Sequence, residues 1–171
     1  MTLVTKSSYV DGAFIPLGSS ADILENRNPS HPGEVVERFE RADQELTEQA
    51  IAAARRAQPA WARSNPQQRA DALDFIGTEI LARREELATL LAREEGKVVR
   101  EALGEVDRAG RSFKFYAQEA LRAEGEKYQS VRQDVAIDVF SQSLGVVGII
   151  APWNFPIAIP AWKIAPGRSA C

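Results

Sequence analysis

The sequence predicts an α/β fold, with a helical middle and part of a parallel sheet near the C-terminal end. Three observations predict it. Val146-Val147-Gly148-Ile149-Ile150 is apolar without alternation, as in a strand covered on both faces. Between residues 42 and 125, apolar residues recur at spacings of three and four, the period of a helix with one buried face. Before and after that region the pattern shortens to brief alternating runs bounded by Gly, Pro and Asp, which read as strands and turns.

Composition narrows the classes of function. The 171 residues suffice for one domain with a core, and 44% of them are hydrophobic, the range of ordered globular chains. A formal net charge of -3 argues against a general nucleic-acid binder, which presents a basic face. Cys171 is the one cysteine, so no intrachain disulfide can form, which fits a reducing compartment. His31 is the one histidine, within Pro29-Ser30-His31-Pro32-Gly33, so no metal site is expected. Residues 1 to 20 lack a basic start followed by an apolar run, hence no signal peptide is expected. The most apolar stretch, Val146 to Trp162, is interrupted by Pro152, Asn154, Pro156 and Pro160 and is too broken to span a membrane. The expectation is a soluble cytoplasmic protein without nucleic-acid or membrane partners.

The elements follow in order. Asp11-Gly12 between Tyr9-Val10 and Ala13-Phe14-Ile15 is a two-residue hairpin signal. Glu34 to Phe39 reads as another strand. Leu46, Ala50, Ala54, Ala57 and Trp61 form one face of a first helix. Asn65-Pro66 followed by Gln68 predicts a capped restart, with Gln68 reaching back as in a capping box. Leu73, Ile76 and Ile80 give the next stripe, and Leu87, Leu90 and Leu91 another, which Gly96 ends. Ala102, Val106, Ala109, Phe113, Tyr116 and Ala120 share the face of a long helix, with its stop expected at Gly125. Val135, Ile137 and Val139 then alternate with Ala136, Asp138 and Phe140, a strand with one wetter face, or an edge or oligomer arm. Phe155 to Ile164 reads as a short helix.

The chemistry is concentrated in Gly145 to Pro156. A strand delivering Asn154 to a loop stiffened by Pro152 and Pro156 places an amide at a strand's C-terminal end, where open α/β sheets bind ligands. A fixed amide donor without charge suits an oxyanion hole. The plain alternative is an Asn that bonds its own backbone in a turn. Trp153 alone reads as a core residue rather than a cofactor contact, and Lys163 alone as a solvated lysine near a helix end.

At this stretch the sequence resembles the aldehyde dehydrogenase superfamily. The resemblance rests on Gly145-Val-Val-Gly-Ile-Ile-Ala-Pro-Trp-Asn-Phe-Pro156, then Ala161-Trp162-Lys163 and Pro166. It extends back through Glu101-Ala102 with Glu105-Val106, Glu94-Glu95-Gly96-Lys97, Gly33-Glu34-Val35, Asn28-Pro29 and Asp11-Gly12, so residues 8 to 166 are covered in family order. It implies the N-terminal part of a Rossmann-type cofactor-binding domain: helical at 42–125, an oligomerisation arm at 128–143, and the strand and Pro-Trp-Asn loop at 144–166. It implies oxidation of a small aldehyde to the acid with NAD or NADP, through a cysteine thiolate. Asn154 would be the oxyanion donor and Lys163 a proton relay. Ile150, Ala151, Pro152 and Trp153 would line the nicotinamide, and intact members would be dimers or tetramers.

Phe113-Lys114-Phe115-Tyr116-Ala117, Glu119-Ala120-Leu121-Arg122, Gly125-Glu126-Lys127 and Ser130-Val131-Arg132 look most like α-ketoglutaric semialdehyde (2,5-dioxopentanoate) dehydrogenases. Succinate semialdehyde dehydrogenases share much of this pattern. After Pro166 the resemblance stops, and the chain reads Gly167-Arg168-Ser169-Ala170-Cys171. A truncated or frameshifted copy would give that pattern. The catalytic domain, with its cysteine and glutamate, is then expected to be absent, and Cys171 is not its substitute because its surroundings do not match. On that reading this chain alone is inactive and poorly soluble. The alternative is a non-catalytic fragment that pairs with intact subunits or does nothing.

Overall fold

The computed structural model describes residues 5–16, 22–122 and 125–169. The strands come first. Thr5–Lys6 (β1) pairs in parallel with Val35–Glu40 (β5), and Ile23–Arg27 (β4) pairs with β5 on its other side, antiparallel, with an irregularity between Asn26 and Arg27. Tyr9–Val10 (β2) and Ala13–Phe14 (β3) form the expected hairpin. Asp11 and Gly12 both have positive φ, 54° and 84°, the requirement of the turn that matches strand twist. The Tyr9 and Phe14 rings meet edge to face at 5.0 Å across it. Ile23–Arg27 carries charges and no clean alternation within Ile-Leu-Glu-Asn-Arg, so it was not legible as a strand.

Four helices make the body: Gln44–Ala62 (α1), Pro66–Ala82 (α2), Arg84–Glu95 (α3) and Val99–Glu119 (α4). Asp43 caps α1 by accepting from the Leu46 N–H at 2.8 Å. Asn65 caps α2 with the expected reciprocal pair: its side chain accepts from the Gln68 N–H at 2.9 Å, and Gln68 Oε1 accepts from the Asn65 N–H at 3.0 Å. Replacing Asn65 by Ala is expected to lower stability by about 1 kcal/mol, read from the midpoint of urea unfolding. Gly96 ends α3 at φ 81°.

The core lies where α2 and α4 cross. Ala70, Leu73, Ala109, Phe113, Ala117 and Ala120 are buried there together with Ala161 and Ala165 of Ala158–Ser169 (α5). A second cluster joins Ala88 and Leu91 of α3 to Ala102 and Val106 of α4. Small residues let the backbones come close. Gly77 faces Gly110 so tightly that a Cβ on Gly77 would stand 2.8 Å from the Gly110 carbonyl oxygen.

Four expectations need correction. Ile76 is 39% exposed, because the α2 stripe runs through Arg69, Ala70, Leu73 and Gly77. The long helix stops at Glu119, followed by a 3-10 turn over Ala120–Arg122, and Gly125 instead sits tight against the Val139 backbone. Of the alternatives for 135–140, the strand with one covered face is not formed: Glu126–Gln129 (β6) and Ala136–Val139 (β7) make an antiparallel pair whose residues are all exposed. Val146 to Ile150 is not a strand: among the described residues no neighbouring strand pairs with it, and Ile150 is 99% and Val147 53% exposed. Apolar character alone does not make a strand, because its backbone groups need a ladder. Cys171, the terminal thiol, lies outside the described residues.

Candidate active site

The site is built from the end of α3 outward. The segment before it is fixed by Asn28, only 4% exposed. Asn28 Nδ2 donates to Glu34 Oε2 at 2.7 Å, its Oδ1 accepts from the Ser30 N–H at 2.9 Å, and Arg93 Nε donates to Glu34 Oε1 at 2.8 Å. The Asn28 bond first, then Arg93, holds the Glu34 carboxyl below the ordinary glutamate value. Pro29 packs where a side chain on Gly96 would be, 2.7 Å from a Cβ built there. This joint sends the chain inward at Lys97.

Lys97 is the centre of a buried polar cluster. Its side chain is 12% exposed and that of Glu105 on α4 is 1% exposed. Lys97 Nζ donates to Glu105 Oε2 at 2.5 Å, pairs with Glu95 Oε2 at 2.8 Å, donates to the Asn154 carbonyl at 3.3 Å, and lies 4.8 Å from the centre of the Phe155 ring. Burial works against the ammonium, yet its bonds to Glu105 and Glu95 outweigh burial and hold its pKa above the ordinary lysine value. The other Glu105 oxygen accepts from the Ile157 N–H at 3.0 Å and the Ala158 N–H at 3.2 Å. These are orphan donors at the start of α5, which an anion satisfies best. One buried ion pair therefore grips both sides of the Asn154 loop: Lys97 holds the carbonyl of residue 154, and Glu105 holds the amides of 157 and 158.

The predicted site residues lie around this grip. Asn154 is in a turn before α5, exposed, and its side-chain amide makes no hydrogen bond among the described residues. The self-bonded turn, the plain alternative for this residue, is not formed. Ile150 is 99% and Trp153 84% exposed, Pro152 is exposed, and Ala151 is half-buried. Lys163 lies elsewhere. It lines a cavity of about 300 Å³ between α1 and α5, whose other walls include Trp61, Val146, Val147 and Ile149. Asn154 and residues 150–153 do not line that cavity, so the structure does not bring Asn154 and Lys163 into one pocket. Residues 146–150 pair with no strand among the described residues, and Ile150, Pro152 and Trp153 leave apolar side chains uncovered. Sequence reading missed Lys97 and Glu105 as site-building residues. Both fell in matched motifs, but nothing in their spacing announces a bond to residues some fifty positions away.

A second cleft, of about 490 Å³, opens between α4 and α5 and is lined by Gly104, Asp107, Arg108, Arg111, Ser112 and Trp162. No group of His, Cys, Asp and Glu that could hold a metal ion occurs among the described residues, nor any helix long and apolar enough to cross a membrane.

The model of the aldehyde dehydrogenase family matches residues 17–169. An alpha-ketoglutarate semialdehyde dehydrogenase from Haloferax volcanii is 34% identical over 163 residues, 95% of this chain and 34% of its own length. An alpha-ketoglutaric semialdehyde dehydrogenase from Bacillus subtilis is 33% identical over 170 residues, 97% of this chain and 35% of its own. Among solved structures, 3,6-anhydro-L-galactose dehydrogenase in complex with NAP superposes with a TM-score of 0.88 at 30% identity, covering 98% of this chain and 35% of that one. The chain thus spans about a third of the length of the relatives it matches.

Proposed function

Because the chain belongs to the aldehyde dehydrogenase family, we propose that it forms the N-terminal, cofactor-facing third of an enzyme that oxidises a semialdehyde, α-ketoglutaric semialdehyde foremost, to the carboxylic acid with NAD or NADP. The observation that carries this reading is the clamped loop: Asn154 projects an amide with no hydrogen-bond partner among the described residues from a turn whose backbone is held by Lys97 and Glu105. A donor held before the reaction needs no reorganisation when an aldehyde oxygen becomes negative. Residues 150–153 would lie along the nicotinamide, and the bound dinucleotide supplies the hydride acceptor. Lys163, with no ion pair among the described residues, would relay a proton once further chain closes its cavity. The β6–β7 arm, open on both faces, would pair with another subunit in dimers or tetramers. The cytoplasm is the compartment proposed.

The nucleophilic cysteine and the base are not among the matched motifs of this chain, so the 171 residues alone form no covalent intermediate and turn over no substrate. The test is a hybrid in which residues 1–166 replace the matching third of the Bacillus subtilis relative. It is expected to reduce NAD or NADP with α-ketoglutaric semialdehyde, and succinate semialdehyde more slowly, while the isolated chain reduces neither. A correctly folded hybrid that oxidises no aldehyde contradicts the proposal. A second reading, a non-catalytic chain that pairs with intact subunits, draws on the uncovered β6–β7 arm. Capture of the relative's subunits by the isolated chain would favour it.

A further inference from the structure

An ammonium carries three N–H groups, and three oxygens stand within reach of Lys97 Nζ: Glu105 Oε2 at 2.5 Å, Glu95 Oε2 at 2.8 Å and the Asn154 carbonyl at 3.3 Å. Burial works against its charge, yet the two carboxylates keep its pKa above the ordinary lysine value. At neutral pH Lys97 is therefore neither a proton donor nor an acceptor to a reaction. What it offers the site is a fixed charge in a fixed place.

The place is fixed because both partners stand on rigid elements, the condition for holding a reacting group accurately. Lys97 follows Gly96, which stops α3 at φ 81° and is packed against Pro29. Glu105 lies on α4 beside Ala102, Val106 and Ala109, each 0% exposed. From there the pair holds the chain at two points, the carbonyl of residue 154 and the amides of residues 157 and 158. The backbone between those points has little freedom. Pro156 fixes its own φ and disfavours the helical region for Phe155, whose ring lies 4.8 Å from Lys97 Nζ. Upstream there is no comparable support: residues 146–150 pair with no strand among the described residues, and Ile150 and Trp153 are exposed. Without the Lys97 bond, residue 154 is held from its C-terminal side alone.

We propose that Lys97, backed by Glu105, is a positioning residue for the oxidation step: its bond to the carbonyl of residue 154 sets the aim of the Asn154 amide, and through it the rate at which the aldehyde is oxidised. The inference rests on the proposed aldehyde dehydrogenase reading and deepens it. Lys97 touches no reacting atom, so its effect on the rate passes through Asn154. That separates it from a residue that only stabilises the fold, whose loss would slow the enzyme equally with or without the amide.

Two measurements test the proposal. In the first, the backbone order parameter of residue 154 is measured by amide nitrogen relaxation on the 171-residue chain. It is expected near the rigid value of about 0.85 in the parent and below about 0.6 in Lys97→Met, with Val106 in the core unchanged. Equal values at residue 154 overturn the proposal. In the second, single-turnover NAD(P)H formation by the hybrid enzyme with α-ketoglutaric semialdehyde is compared in a double-mutant cycle. Lys97→Met is expected to lower the rate about ten- to a hundredfold where Asn154 is present, and less than about twofold where Asn154 is already replaced by Ala. Equal losses in the two backgrounds overturn the proposal and leave the dehydrogenase reading standing. Lys97→Met/Glu105→Gln is carried through both measurements, because it removes the two buried charges together and leaves an oxygen for the Ile157 and Ala158 amides. It is expected to behave like Lys97→Met. An Asn154→Ala hybrid as fast as the parent overturns the oxyanion reading and the effect on rate with it, while the order parameter still decides whether Lys97 holds residue 154.

Discussion

Replacement of Glu105 by Ala is expected to cost about 3–5 kcal/mol of stability, because it breaks a buried ion pair from one side. Glu105 is 1% exposed and satisfies three donors at once: Lys97 Nζ and the amides of Ile157 and Ala158. Without it, Lys97 keeps Glu95 and loses its shorter partner, and two amides at the start of α5 have no acceptor. Glu105→Gln separates the contributions. It keeps an oxygen for the two amides and removes the charge that faces Lys97, so its cost should be clearly smaller than that of Ala. Urea unfolding of both variants beside the parent chain checks the order; equal midpoints for the parent and the Ala variant contradict the clamp. The pH dependence has a defined sign. Bonds to Glu105 and Glu95 raise the Lys97 pKa over the opposing effect of burial, so this contribution is fully present below the ordinary lysine value of 10.5 and is lost as pH rises through the raised value. The stability difference between parent and Glu105→Ala should therefore be flat through neutral pH and shrink only in strong alkali.

The second large effect is at the helix crossing. Gly77→Ala puts a methyl 2.8 Å from the Gly110 carbonyl oxygen and 3.2 Å from the Lys114 amide nitrogen. Both are backbone atoms of α4, so the relief must come from moving a helix, not a rotamer. Overpacking of this kind costs typically about 1–3 kcal/mol, against a gain of about 1 kcal/mol from replacing glycine within a helix. The net expectation is a loss of about 1–2 kcal/mol. Gly110→Ala is the companion test. Its methyl meets Leu81 Cγ and Cδ2 at 2.6 Å and 2.8 Å and the Gly77 carbonyl oxygen at 3.2 Å, so the Leu81 side chain must shift and the same crossing is tested from its other side, with a loss of similar size, about 1–2 kcal/mol. If Gly77→Ala is as stable as the parent chain, the close crossing is not real.

The parts of the fold legible in the sequence are those fixed locally. The hairpin at Asp11-Gly12 needs two positive φ angles. The capping box at Asn65 and Gln68 needs residues three apart, and the left-handed stop at Gly96 needs a glycine. Each is set within a few residues, so pattern suffices. Ile23–Arg27 was missed because its pairing to Val35–Glu40 leaves no apolar rhythm in its own residues. Val146 to Ile150 was over-read for the opposite reason. Its composition suits a strand covered on both faces, but a strand is a relation between segments, and no partner segment is present among the described residues.

The candidate site divides the same way. Asn154 and Lys163 were picked out by motif, and the structure sets them on different sides of α5: one in the turn before it, the other in the cavity against α1. Lys97 and Glu105 carry the placement of Asn154, yet their roles depend on contacts across more than fifty residues of sequence.

The account depends on the amide of residue 154 acting on the developing oxyanion. The direct measurement is the single-turnover rate of NAD(P)H formation by the hybrid enzyme carrying Asn154→Ala, with dinucleotide affinity measured in parallel. The predicted result is a fall of about 10²–10³ in that rate, with dinucleotide binding unchanged. An undiminished rate would contradict it and return Asn154 to an ordinary turn.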